Sequence, residues 1–170
     1  MLNFFLPKFE YKNLDYTQMN NVSFENRSIE FEQQNKKYLD AGYTNHNSEY
    51  FQTFEVGNDV KDFCNSVFPR YSVSIIQQRP GQTLPLHDDT FYMFAHQNNL
   101  DANMCIRINI FLEDWQSGHY FEIDNTPVLQ WKAGDAIIID RGVFHLSGNM
   151  GMTNKYTMQI TGVRSEFKRG

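Results

Sequence analysis

The sequence predicts a mostly β domain fronted by helices, an antiparallel sandwich or barrel of the jelly-roll kind. Three observations carry that expectation. From Tyr71 onward short apolar runs alternate with turn-forming residues, and no helical pattern intervenes. Before Tyr71 the apolar spacing is helical in two stretches. Aromatic residues make up 15% of the chain, and their side chains suit a pleated, half-buried surface.

The elements follow in order. Ser28 to Tyr43 (SIEFEQQNKKYLDAGY) is rich in helix formers, opens on a Ser with Glu32 close behind, and reaches Gly42, a C-cap by residue type. Asn58 to Phe68 repeats the logic. Asn58 or Asp59 can cap it, Val60, Phe63, Cys64 and Val67 fall at helical spacing, and Pro69 closes it. Both helices are expected on the outside of a sheet. Strands are expected at 71–78, 91–96, 104–114, 119–124, 136–140 and 155–163. Breakers separate them: Arg79-Pro80-Gly81, Asn98-Asn99, Ser117-Gly118, Asn125-Thr126-Pro127, Ala133-Gly134-Asp135, then Gly148 and Gly151. With 170 residues, one domain spanning 1–170 is expected. Residues 1–70 would give it partly helical support, covering sheet faces that the core at 71–163 leaves open.

Composition narrows the function classes. A hydrophobic share of 41% beside 21% charged residues is that of a folded globular chain rather than a disordered one. The net charge of -5, with no Lys/Arg block, argues against nucleic acid as the principal partner. Cys64 and Cys105 form no metal-ligand pair and read as thiols of a reducing compartment. The apolar run in MLNFFLPKFEYK is too short for a signal peptide and lacks a basic leader, and no stretch reaches the length of a membrane span. The cytoplasm is the expected location.

Three parts of the sequence point to one site. In LPLHDDTF, His87 and Asp89 stand at i and i+2, so in extended chain both leave the same face and can reach one metal ion. Asp88 serves as the carboxylate only if the backbone turns sharply. His145, in GVFHLSGN, follows the apolar strand AIIID and supplies a distant imidazole. Two histidines and one carboxylate leave adjacent coordination positions open, as non-haem Fe(II) oxygenases require. Ten residues beyond His145 stands Lys155, with Thr157 on the same strand face. An ammonium and a hydroxyl projecting together suit a carboxylate. His145 is the one histidine with Lys or Arg at that offset.

With these motifs, residues 71–163 resemble the Fe(II)/2-oxoglutarate-dependent dioxygenases, whose pattern is His-x-Asp, a distal His, and a basic residue with Ser or Thr two on. RPGQTLPLHDD is similar to that family's approach to the first metal strand, and WKAGDAIIIDRGVFH to its turn, apolar strand and distal histidine. Lys in place of Arg is similar to the prolyl-hydroxylase-like branch. Arg107-x-Asn109, and Asn149 four beyond His145, resemble features of aspartyl/asparaginyl hydroxylases, which lack the metal carboxylate that Asp89 provides here. The resemblance implies a double-stranded β-helix (jelly roll, cupin-like) with Fe(II) on His87, Asp89 and His145. It also implies 2-oxoglutarate held at its far end by Lys155 and Thr157, O2 as oxidant, and a peptide or small-molecule substrate.

Other residues are read more loosely. Arg107 and Asn109 share one strand face, which is either solvent or cavity, while Ile106, Ile108 and Ile110 share the other. His119 could line the substrate mouth. His96 precedes a polar loop and is expected exposed. Trp115 and Trp131 are expected to pack. Two rival classes remain: a non-catalytic jelly-roll binding module, and a cupin-type metalloenzyme that does not use 2-oxoglutarate.

Overall fold

The computed structural model describes residues 1–16, 18–21, 36–44 and 48–168. Its strands are β1 (Leu2–Asn3), β2 (Gln18–Asn21), β3 (Glu49–Thr53), β4 (Tyr71–Gln78), β5 (Thr83–His87), β6 (Cys105–Phe111), β7 (His119–Ile123), β8 (Thr126–Val128), β9 (Asp135–Asp140), β10 (His145–Asn149) and β11 (Lys155–Val163). Helices α1 (Asn58–Val67) and α2 (Tyr92–Asn98) interrupt them, and a further helical stretch is described at 36–40. The large sheet runs β1-β9-β6-β11-β4-β3-β2 and the small one β5-β10-β7-β8, and every pairing is antiparallel. From β4 onward the chain passes back and forth between the sheets, and each sheet interleaves early strands with late ones. That is a double-stranded β-helix, the jelly roll expected from the sequence.

Alternation along the strands of the large sheet decides where the core sits. Ile75, Ile106, Ile108, Ile110, Met158 and Ile160 all point to the outer face and are buried. Helix α1 covers them with Val60, Cys64 and Val67, spaced i, i+4, i+7, and Phe4, Phe9 and Tyr11 of the N-terminal segment extend the cover. Each fully buried aliphatic side chain contributes about 1.5–3 kcal/mol, so this outer face is the main source of stability. Gly162 of β11 fits the same logic. A Cβ there would lie 2.5 Å from the ring of Phe68, so only glycine lets that ring lie flat on the strand. Helix α1 begins with Gly57, not Asn58 or Asp59, at its cap position, and Phe68 leaves it in extended conformation.

Two expectations need correction. Residues 91–96 are not a strand: most of them belong to α2. Phe91, Phe94 and Ala95 are buried at the helical spacing i, i+3, i+4 against Cys105 and Val163, and Phe91 turns the chain into the helix from a left-handed conformation (φ 55). In addition, β8 and β10 include residues read as breakers (Thr126-Pro127 and Gly148), and β5, read as extended around His87, is not among the strands expected from the sequence. Strands β5 and β8 are the edges of the small sheet, where Pro85 and Pro127 are tolerated because an edge strand has backbone N–H groups that need no partner. Of the first expected helix, 28–35 lies outside the described residues; 36–40 is helical and Gly42 follows it at φ +90.

Candidate metal centre

The site forms where β5 and β10 meet at one end of the barrel. His87 closes β5, His145 opens β10, and the two are register partners, with ring centroids 4.2 Å apart. Asp89 follows two residues beyond His87. The His87, Asp89 and His145 donor atoms all lie within 4.8 Å of one another, and Asp88 is not part of the group.

Hydrogen bonds fix which atoms face inward. Nδ1 of His87 donates to the Pro85 carbonyl at 2.7 Å, and Nδ1 of His145 to the Val143 carbonyl at 3.0 Å. A carbonyl only accepts, so the proton sits on Nδ1 and each Nε2 keeps its lone pair. Asp89 is gripped from one side only, with Oδ1 accepting from Arg107 Nη1 at 2.6 Å. Asp89 Oδ2 and His145 Nε2, 3.9 Å apart, are buried and have no hydrogen-bond partner. Buried polar atoms normally have one, so two convergent acceptors without a donor are the arrangement a divalent cation satisfies. Protonation does not supply the missing donor. Burial pushes His87 down to about 4, helped by His145, and burial likewise lowers His145. Both imidazoles are therefore neutral at pH 7, the form that ligates metal. The residues fit a two-histidine, one-carboxylate metal set.

Arg107 and Asn109 lie on the inner face of β6, which resolves the open alternative. Arg107 reaches the centre itself, bonding Asp89, donating to Thr161 Oγ1 at 3.3 Å and lying over Phe91 at 5.6 Å. Tyr50 of β3, not singled out from the sequence, stands near enough to feel both charges. Burial holds its phenol up at about 12, Arg107 lowers it and Asp89 raises it.

Lys155 opens β11 and is 2% exposed. Its ammonium crosses the barrel to the small sheet, donating to the Tyr120 carbonyl and Ser147 Oγ at 2.6 Å each, and to Gln78 Oε1 at 3.4 Å. Phe121 and Trp131 present their rings at 5.7 and 5.5 Å. No carboxylate among the described residues pairs with it, and burial lowers its pKa to about 7. Ser147 is two residues along β10 from His145 on the same face, so the ammonium meets the strand that carries a metal-site histidine, about 7 Å of backbone further along. Thr157 is buried on the same face of β11 as Lys155. The polar partners Gln78 and Ser147 were missed from the sequence, because only the barrel closure brings them together.

Two candidates lie elsewhere. His119 pairs with Asn149, at the end of β7 away from His145, which pairs with Ile123. It is 1% exposed and its Nε2 meets the Thr153 carbonyl at 3.1 Å, so it does not line the mouth. Asn149 is a clamp at that same end. Its Nδ2 donates to the Gln78 and Thr153 carbonyls at 2.8 Å each, and its Oδ1 accepts from Gly151 N at 3.0 Å. His96 is exposed on α2, and Trp131 packs against Phe111, as expected. Both cysteines are free and buried.

No family model and no curated protein matches the chain. Solved structures do. One is described as a predicted oxalate decarboxylase from Thermotoga maritima, at 18% identity over 68% of this chain and 82% of that chain, with a TM-score of 0.45. Another is KdgF from Halomonas sp., at 9% identity over 68% and 79%, with a TM-score of 0.44. A third is a cupin protein from Bacteroides fragilis, at 16% identity over 59% and 71%, with a TM-score of 0.42. These are likenesses in outline. The fold of this chain is read from its own strand order. No helix among the described residues is long and apolar enough to cross a membrane.

Proposed function

We propose that the protein is a non-haem Fe(II)- and 2-oxoglutarate-dependent dioxygenase that hydroxylates a peptide or small-molecule substrate. One juxtaposition carries this reading. A three-ligand centre stands at the barrel mouth, and a buried ammonium with no carboxylate partner among the described residues lies one β repeat below it.

Fe(II), when bound, supplies the chemistry with O2 that oxidises 2-oxoglutarate to succinate and CO2 and leaves one oxygen atom for the substrate. The rest is done by the chain. The Pro85 and Val143 carbonyls hold the two imidazoles in the ligating tautomer, and Arg107 keeps Asp89 Oδ1 occupied so that Oδ2 faces the centre. Lys155 holds the distal carboxylate. Gln78 Oε1, at 3.4 Å the weakest of its three acceptors, is the one that carboxylate displaces, and Thr157 adds a hydroxyl from the same face. Phe111, Phe121 and Trp131 fill the barrel beside the ammonium and exclude water there. Aerobic incubation with Fe(II), ascorbate and 2-oxoglutarate should yield succinate, slowly even without prime substrate. A protein that takes up iron yet neither binds 2-oxoglutarate nor forms succinate sinks the reading.

One observation favours a second reading, a cupin-type metalloenzyme or binding module that does not use 2-oxoglutarate. The three N–H donors of Lys155 already have three protein acceptors, an arrangement that also serves as a structural tie between the two sheets. On that reading the metal binds and 2-oxoglutarate does not.

A further inference from the structure

Asn109 stands between the two features just described. On β6 it lies two residues from Arg107, which grips Asp89, and two from Phe111, the register partner of Thr157. It is 1% exposed on the inner face. Its Oδ1 has one long contact, from Gln159 Nε2 at 3.5 Å, and its Nδ2 has no hydrogen-bond partner. Asn109 pairs with Ile137 and Gln159 across the sheet, and neither neighbouring strand gives it an acceptor.

The surroundings make this orphan informative. The register partner of Asn109 on β9 is Ile137, and Phe111 and Ile139 also face inward, so apolar side chains are accommodated beside position 109. An unsatisfied buried amide is destabilising relative to a satisfied one. Asn109 thus presents an unpaired amide donor on the inner face, with Arg107 two residues before it on β6 and Lys155 beyond Phe111 and its partner Thr157 in the other direction.

We infer that Asn109 is a specificity-determining donor for the ligand that spans the barrel. Its Nδ2 reads an oxygen at the metal-proximal end of a short-chain dicarboxylate whose other end meets Lys155. The inference rests on the proposed function for the site and adds a residue to it. The length of the ligand is set by Lys155, and the acceptor beside the centre by Asn109.

The test uses the full chain loaded with Mn(II), which holds the site without turnover. It compares wild type with Asn109→Leu, and with Asn109→Ser as a second variant that adds no apolar bulk. Two quantities are read: the melting temperature without ligand, and calorimetric affinity for succinate, oxaloacetate, malate and 2-oxoglutarate. Asn109→Leu should melt no lower than wild type, because it removes an unsatisfied group, while both variants lose about tenfold or more in affinity for the tightest-binding diacid. A clear drop in melting temperature for Asn109→Leu together with unchanged diacid affinity in Asn109→Ser overturns the inference. So does unaltered affinity in both variants, or no diacid binding by wild type. If wild type binds a diacid other than 2-oxoglutarate and both variants lose it, the co-substrate reading fails and the role of Asn109 stands.

Discussion

The two faces of the large sheet are made by the same strands, yet they are built for opposite ends. Outward, Ile75, Ile106, Ile108, Ile110, Met158 and Ile160 close against α1 and the N-terminal segment. Inward, Arg107, Asn109, Thr157, Thr161 and Lys155 face the small sheet across the barrel, with Phe111, Ile139 and their neighbours giving that side one apolar patch and Cys105 and Val163, under α2, another. Burying polar groups is unfavourable unless each finds a partner. The inner face accepts that cost where the outer face avoids it: of four orphaned buried atoms among the described residues, Asp89 Oδ2, His145 Nε2 and Asn109 Nδ2 lie at or beside the centre, and the fourth, His119 Nδ1, lies at the far end of β7. Stability is concentrated outside the barrel and chemistry inside.

The largest effect that could break this contrast is at the centre. His145→Ala removes one of three ligands and should lower metal affinity by about a hundredfold or more, while the fold persists because the one hydrogen bond lost, from Nδ1 to the Val143 carbonyl, is local to its own turn. Anaerobic metal titration with circular dichroism checks both halves. Iron bound at unchanged affinity would remove His145 from the site. Next comes the outer face. Ile108→Ala, fully buried among Ile138 and Ile160, should cost about 2–5 kcal/mol in urea unfolding and leave metal affinity nearly unaltered.

Much of this contrast was legible in the sequence. Period-2 spacing put His87 with Asp89 and Lys155 with Thr157, and the apolar set of β6 opposite Arg107 and Asn109, because alternation is a local property of extended chain. What was not legible depended on distant partners. Residues 91–96 carry the aromatic composition of a strand, and only their i, i+3, i+4 burial against Cys105 and Val163 makes them a helix. The segments of β5 and β8 contain prolines that local rules assign to turns, and edge positions in the finished sheet excuse them. His119 and Asn149 could not be placed by type alone. Their distance from the centre follows from the β7–β10 register, where His145 meets Ile123 and Asn149 meets His119.

A subtler probe is the charge of Lys155. Burial depresses its pKa from 10.5 to about 7 in the folded protein, so between those values the unfolded chain binds more protons. Stability should therefore rise as pH increases from about 7 toward 10.5, and the charge-burial cost should be fully in place below 7. In Lys155→Met that rise should disappear, as thermal melts across the range will report. Over the same window the affinity of the wild type for 2-oxoglutarate should fall as the ammonium is lost. A smaller effect is expected at Thr157→Val, about 0.5–1.5 kcal/mol in 2-oxoglutarate binding with metal affinity unchanged.

The central claim is that one barrel holds a metal at its mouth and an anionic co-substrate on Lys155. Its most direct test is calorimetric titration of 2-oxoglutarate, without oxygen, into Fe(II)-loaded wild type and Lys155→Ala, each first titrated with Fe(II). A charge-assisted bond is worth about 1.5–3 kcal/mol, so the account predicts equal iron affinity in the two proteins and roughly ten- to a hundredfold weaker 2-oxoglutarate binding in the variant. Lys155→Ala that takes up iron and binds 2-oxoglutarate as tightly as wild type would contradict it.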